Sequence, residues 1–231
     1  MSQAEFDAYV EDYDRQHRES IKASGEDPGY FAEYKIKELK RLSDTWAMNS
    51  PSVVDFGSGM GNSLPALREY FATSEIFTAD VSERSLEAAR KLHGGSEQQL
   101  LIADSRIPAD DGAFDLAFTA CVFHHIPADQ HVQWLSEIRR VTRPGGRLVL
   151  FEHNPLNPLT RDAVRKCPFD VNAVLISANE MRRRFLKAGW RAPKINYHIF
   201  FPRSLAKLRP LENHLRWCAF GGQYSCQAIA P

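Results

Sequence analysis

Three groups of residues in this chain have types and spacings that could do chemistry. The first is Asp55-Phe56-Gly57-Ser58-Gly59-Met60-Gly61, where an acid closes a short apolar run and three glycines alternate. Glycine takes positive φ without penalty and has no side chain to hold a ligand off. A glycine turn between a buried strand and a helix lets a ligand lie on bare backbone at a helix N-terminus. The spacing is G-x-G-x-G and not G-x-G-x-x-G, which favours an adenosyl ligand without a pyrophosphate. The second group is a pair of acids that also close apolar runs. Asp80, followed by Val81, can accept both hydroxyls of a ribose; Asp104-Ser105 can accept from an exocyclic amine of adenine. Asp55 can accept from a ligand ammonium or a nearby backbone N–H. The third group is His124, His125 and the run Glu152-His153-Asn154. An unperturbed imidazole titrates near pH 6.5 and can take a proton at neutral pH. His124 reads as a core histidine in an apolar run. His153 is favoured over His125 as a base. Glu152 can hold the imidazole in one tautomer or bind a substrate ammonium, and Asn154 can orient the substrate.

These residues need a scaffold that brings strand ends together. Residues 3–14 carry aromatics at helical spacing, and a second helix is expected from Pro28 to about Trp46. Together, residues 1–48 read as an N-terminal helical cover, and residues 49–231 as the core of a single domain. From Ser52 on, strands and helices alternate. Strands are expected at 52–56, 75–79, 98–103, 114–119 and 147–152, and helices at 62–71, 83–92 and 128–141. Ser82 is placed to cap the second of these helices. Such alternation builds a parallel sheet covered on both faces. In that arrangement ligands sit beyond the carboxyl ends of the strands, where the polar residues named above fall. After Glu152 the run 153–160 reads as a loop. A helix at 178–188 stopped by Gly189, a strand at 194–201, a basic amphipathic helix at 204–215 and a last strand at 223–229 follow.

In order along the chain, VVDFGSGMG, FTADVSERSLEAAR, LLIADSRIP, FDLAFTACVFHHI, WLSEIRRVTRPGG and RLVLFEHNP make up an unbroken series over about residues 50–153. This series resembles the class I S-adenosylmethionine-dependent methyltransferases of the small-molecule type. The resemblance implies an α/β fold with a Rossmann-like seven-stranded sheet, mostly parallel with an antiparallel last strand. It implies S-adenosyl-L-methionine as cofactor and S-adenosyl-L-homocysteine as product. The cofactor residues would be Asp55, Gly57, Ser58, Gly59, Gly61, Asp80, Val81, Asp104, Ser105, Ala120 and His125. Methyl transfer to an O or N atom of a small molecule would be served by His153, His125, Glu152 and Asn154. One position departs from the family: Ala120 stands where many relatives carry Asn, so only its backbone can act there.

The chain has 231 residues, and Lys+Arg and Asp+Glu balance at 29 each, so no global field recruits nucleic acid. Nor is there an N-P-P-Y or D-P-P-Y motif for a flipped base. The four cysteines are scattered without a C-x-x-C pair and are expected as reduced thiols; no metal is expected. No signal peptide or membrane span is read, which points to the cytoplasm, although the aromatic and basic stretch 197–220 could touch a lipid surface. Two other readings share the glycine turn: a nicotinamide-dependent oxidoreductase, which needs room for a pyrophosphate, and an adenosyl-cofactor-binding module without catalysis.

Overall fold

The structure, a computed structural model, describes Glu19 and residues 21–231. The helix expected at 3–14 lies outside the described residues. Helix α1 (Pro28–Thr45) starts with Asp27 accepting from the Tyr30 amide at 3.0 Å and Pro28 in the first turn. The alternating part then runs β1 (Val53–Phe56), α2 (Leu64–Tyr70), β2 (Ile76–Asp80), α3 (Glu83–His93), β3 (Gln98–Leu101), β4 (Phe114–Ala120), α4 (His131–Val141) and β5 (Thr142–His153). Next come α5 (Pro158–Lys166), α6 (Ala178–Lys187), β6 (Arg191–His198), a 3-10 stretch (Arg203–Leu211) running into α7 (Glu212–Leu215), and β7 (Gln223–Ile229).

The seven strands form one sheet in the order β3-β2-β1-β4-β5-β7-β6. Pairing is parallel from β3 through β5, and β7 runs antiparallel to both of its neighbours. The expected fold class is therefore the one observed. The chain leaves β1 towards β2 and β3, then returns to lay β4 on its other side. That reversal opens a crevice at the carboxyl ends of β1 and β4, the usual ligand position in such sheets.

Alternate residues of each central strand face opposite layers. Val53, Leu116, Phe118, Val149 and Phe151 pack with Ile36, Leu39 and Leu42 of α1 and Leu67 of α2. Val54, Ala117, Leu148 and Leu150 pack with Leu135 and Ile138 of α4 and Met181 and Phe185 of α6. Helix α1 is thus part of the core as well as a cover.

Several local expectations shift. Strand β5 begins at Thr142, because Phe114 pairs with Thr142 and Leu116 with Arg147, so the Arg-Pro-Gly-Gly turn is absorbed as a bulge. Helix α4 begins at His131, after a turn closed by Gln130 N–H to Pro127 O at 2.9 Å. The expected loop at 153–160 contains the start of α5, with Asn157 capping the Thr160 amide at 3.0 Å and Pro158 in the first turn. The asparagine and proline there are helix-start residues. Strand β6 lies three residues earlier than expected and stops before Ile199, whose φ is +63°. The helix expected at 204–215 is 3-10 over most of its length, and Pro210, which lacks an N–H donor, lies within it.

Candidate active site

The glycine turn leaves β1 with φ of +73° at Gly57, +52° at Gly59 and +78° at Gly61. The three glycines do different work. A Cβ on Gly57 would collide with the Val122 side chain, and one on Gly61 would meet Leu64, Ala89 and His93. Those two let the turn pack against the end of β4 and against α3. Gly61, expected at the ligand, is not among the residues that line the cavity at the strand ends. A Cβ on Gly59 would meet nothing within 4 Å, and Gly59 does line the cavity. Ser58 beside it has a buried hydroxyl with no hydrogen-bond partner among the described residues.

Asp80 closes β2 and acts as a clamp. Its Oδ2 accepts from the Gly59 amide at 2.8 Å and its Oδ1 from the Ser82 amide at 2.9 Å. Ser82 caps α3 by accepting from the Ser85 amide at 3.0 Å. Asp55 is buried at the end of β1, and burial together with the charge of Asp80 pushes its pKa up to about 7. Lys35 of α1 is also buried, lines the same cavity, and has no ion-pair partner among the described residues. Asp104 and Ser105 are placed otherwise than expected. Both are exposed, with φ of +49° and +57°, in a tight turn closed by the Ala103–Arg106 bridge, and the neighbouring cavity wall is Ile102.

The cavity has a volume of about 480 Å³, a usual size for a small-molecule site. Gly57, Ser58, Gly59, Asp80 and Val81 form one end. Ala120, where β4 ends, leads to the other, where His124, His125, His153 and Asp170 meet. Phe31 and Lys35 of α1 and Leu159 and Thr160 of α5 complete the wall. The segment before α1 is tied across the rim by Arg209, which donates to Glu26 at 2.5 Å and stacks over Tyr30 at 4.6 Å.

At the histidine end, Glu152 is fully engaged. Its Oε1 accepts from the Phe123 amide at 2.8 Å and its Oε2 from His124 Nδ1 at 2.6 Å. The imidazole that Glu152 holds is therefore that of His124, not His153. Burial alone would lower the His124 pKa, but Glu152 and Asp170 outweigh it and hold it well above the usual range. Burial would raise Glu152, but His124 outweighs it and brings the carboxyl down to about 2. Asp170 is held well below the carboxylate range by both histidines against its own burial. His125, 3.3 Å from Asp170, is lowered by burial. Burial and the neighbouring His124 push His153 down to about 4. The His153 and His124 rings are 5.1 Å apart, and the His153 ring nitrogens have no hydrogen-bond partner among the described residues. Asn154 donates to Ala219 O and Gly221 O, both at 2.7 Å, and accepts from the Leu156 amide at 3.1 Å. Its amide is spent on holding the loop before β7, a structural task in place of the expected orienting one.

Sequence reasoning missed Asp170 and Lys35 and set His124 aside. No local signal marks Asp170, which lies in a short 3-10 turn after α5. None of Cys121, Cys167, Cys218 and Cys226 forms a disulfide among the described residues. No helix among the described residues is long and apolar enough to cross a membrane.

Residues 54–150 match the family model described as a methyltransferase domain. The demethylmenaquinone methyltransferase of Thermus thermophilus is 36% identical over 124 residues, covering 52% of this chain and 56% of that protein. Its counterpart from Deinococcus radiodurans is 32% identical over 106 residues, covering 45% and 43%. The chain thus spans about half the length of these curated relatives. Among solved structures, a SAM-dependent methyltransferase from Thermotoga maritima superposes with a TM-score of 0.65 at 20% identity, covering 99% of each chain, a likeness of fold.

Proposed function

We propose that this chain, a member of the class I S-adenosylmethionine-dependent methyltransferases, catalyses methyl transfer from S-adenosyl-L-methionine to an O or N atom of a small molecule. The observation that carries this reading is the open face of Gly59 beside the Asp80 clamp, in a cavity whose far end holds an unpartnered imidazole. The residues present suit the cofactor. Gly59 leaves room against bare backbone, the Ser58 hydroxyl lacks a partner among the described residues, and Asp80 supplies a carboxylate for ribose hydroxyls. Asp55 and Lys35, opposite in charge on one wall, suit a zwitterionic amino-acid end. Bound there, S-adenosylmethionine supplies a methyl group on an electrophilic sulfonium and leaves as S-adenosyl-L-homocysteine.

The protein's own part is orientation, exclusion of water and proton management. Helices α1 and α5 wall the cavity, and its volume fits a small acceptor. His153 takes the acceptor proton: its ring lines the cavity with both nitrogens uncommitted, whereas His124 and His125 are turned to carboxylates. Glu152 acts by fixing His124, and so shapes the floor on which the acceptor lies. Balanced charge supports an acceptor other than nucleic acid and agrees with a cytoplasmic enzyme. Trp217 and Phe220, 79% and 72% exposed, support peripheral lipid contact through 197–220.

Calorimetry with S-adenosylmethionine, S-adenosylhomocysteine and NADH tests the cofactor, and a labelled-methyl screen of a metabolite extract tests the acceptor. Micromolar binding of the two adenosyl ligands, roughly −8 kcal/mol, is expected. Binding of NADH with none of S-adenosylmethionine would refute the reading.

A further inference from the structure

We propose that His124 Nε2, His125 Nε2 and a carboxylate oxygen of Asp170 form a binding site for a divalent first-row transition-metal ion at the histidine end of the cavity. The site goes beyond methyl transfer, and its test reads metal content alone, so that either reading can fail without the other.

The geometry is that of a ligand set. Asp170 Oδ1 lies 3.5 Å from His124 Nε2 and 3.3 Å from His125 Nε2. The three candidate donor atoms all lie within 4.8 Å of one another. Ligands bonded at about 2.0–2.1 Å to a tetrahedral ion stand about 3.3–3.4 Å apart. The His125–Asp170 edge, at 3.3 Å, already has that length, and the His124–Asp170 edge, at 3.5 Å, is close to it. The donors come from separate parts of the chain: the turn Phe123–His125 after β4, and the turn Pro168–Asp170 after α5. A backbone bond from the Val174 amide to His124 O at 2.9 Å ties the two segments together.

The surroundings also suit an ion. Glu152 engages His124 Nδ1, which turns the other ring nitrogen, Nε2, towards Asp170. A carboxylate behind a ligating histidine, fixing its tautomer and orientation, is the usual outer partner in metal sites. Glu152 is itself held by the Phe123 amide. Two buried carboxylates, Glu152 and Asp170, stand together here, and buried charge is costly unless it is compensated. One divalent cation balances both. Two imidazoles and one carboxylate favour zinc, ferrous iron or cobalt over magnesium or calcium. Three protein ligands leave further coordination positions, as catalytic sites do. All three donors line the cavity beside His153, so an open position would take an oxygen of the bound acceptor.

The test is equilibrium dialysis of the EDTA-stripped full chain against micromolar Zn²⁺, with metal content read by mass spectrometry, and Co²⁺ absorption as a second readout. One equivalent of Zn²⁺ is expected, with visible Co²⁺ bands of a low-coordinate nitrogen–oxygen site. His125→Ala and Asp170→Asn should each weaken binding at least tenfold, and Glu152→Gln by about 10–100-fold. His214→Ala, at an exposed histidine, should leave it unchanged. Nitrogen NMR of the wild-type histidines covers the case of a variant that fails to fold, since two Nε2 resonances should move on Zn²⁺ addition. No stoichiometric Zn²⁺ on the wild type, or undiminished binding by both His125→Ala and Asp170→Asn, would overturn the proposal and leave a cluster held by shared protons.

Discussion

The Gly59 amide donates to Asp80 Oδ2 at 2.8 Å, so the turn after the first strand hangs on the acid that ends the second. Asp80 holds the fold here, and in the proposed function it also meets the ligand. Asp80→Ala removes the acceptor for both Gly59 and Ser82. Bonds to a charged group contribute about 1.5–3 kcal/mol. We expect a loss of stability of about that size in urea denaturation, and a cofactor affinity at least tenfold weaker by calorimetry. Unchanged affinity would move the ribose elsewhere.

The glycines should separate by mechanism. Gly59→Ala carries only the cost of a left-handed residue, about 1–2 kcal/mol, but fills space on the cavity wall. It should cost more in cofactor affinity than in melting temperature. Gly57→Ala adds a collision with Val122 and should lower the melting temperature further. Val122→Ala in the same chain should restore part of that loss. Equal melting temperatures for Gly57→Ala and Gly59→Ala would disprove the packing role of Gly57.

Asp55 predicts a pH dependence. Its folded pKa, about 7, stands above the ordinary value of about 3.9. The stability it contributes is complete below about pH 3.9 and is lost as pH rises through 7. A cationic ligand group favours the ionised form, so cofactor affinity should rise across the same interval, by at most about tenfold per pH unit. In Asp55→Asn both slopes should flatten. Calorimetry from pH 6 to pH 8 checks it, and an identical slope in that variant would clear Asp55 of the effect.

His153→Ala should lower single-turnover methyl transfer by roughly 10²–10⁴-fold, the usual range for a lost general base. Cofactor affinity should barely change, because the glycine turn and Asp80, which we propose hold the adenosyl part, line the other end of the cavity. Wild-type turnover in this variant would reduce His153 to cavity wall.

The N-terminal segment can be cut in two places. Removing residues 1–27 takes away the Glu26–Arg209 tie and the Asp27 cap but spares α1. That truncation should fold, bind cofactor weakly and turn over poorly. Removing residues 1–48 also removes Ile36 and Leu39, both 0% exposed, each contributing about 1.5–3 kcal/mol of burial. It should not fold cooperatively in thermal denaturation. A stable protein without residues 1–48 would make α1 an appendage.

What the sequence alone determined is what local backbone chemistry writes. Apolar runs closed by Asp55 and Asp80, the alternating glycines, the Ser82 cap and the β-then-α rhythm specified the sheet and the strand ends at which the cavity opens. The same signals misled where one residue type has two uses. Asn157-Pro158 reads as a loop yet caps and opens α5, and Gly61 reads as a ligand contact yet makes room for α3. Only the tertiary structure decided the histidine end. Glu152 meets His124 because β4 and β5 are neighbours in register, Ala120 opposite Phe151. Asp170 arrives because the turn after α5 folds back over both. Lys35 comes in on α1, which packs on the sheet face that carries Val53, Leu116 and Val149. A hydrogen bond, an ion pair or a ligand set depends on distances between side chains far apart in the chain. Those distances follow from strand order and packing, and no pattern of residue types along the chain encodes them.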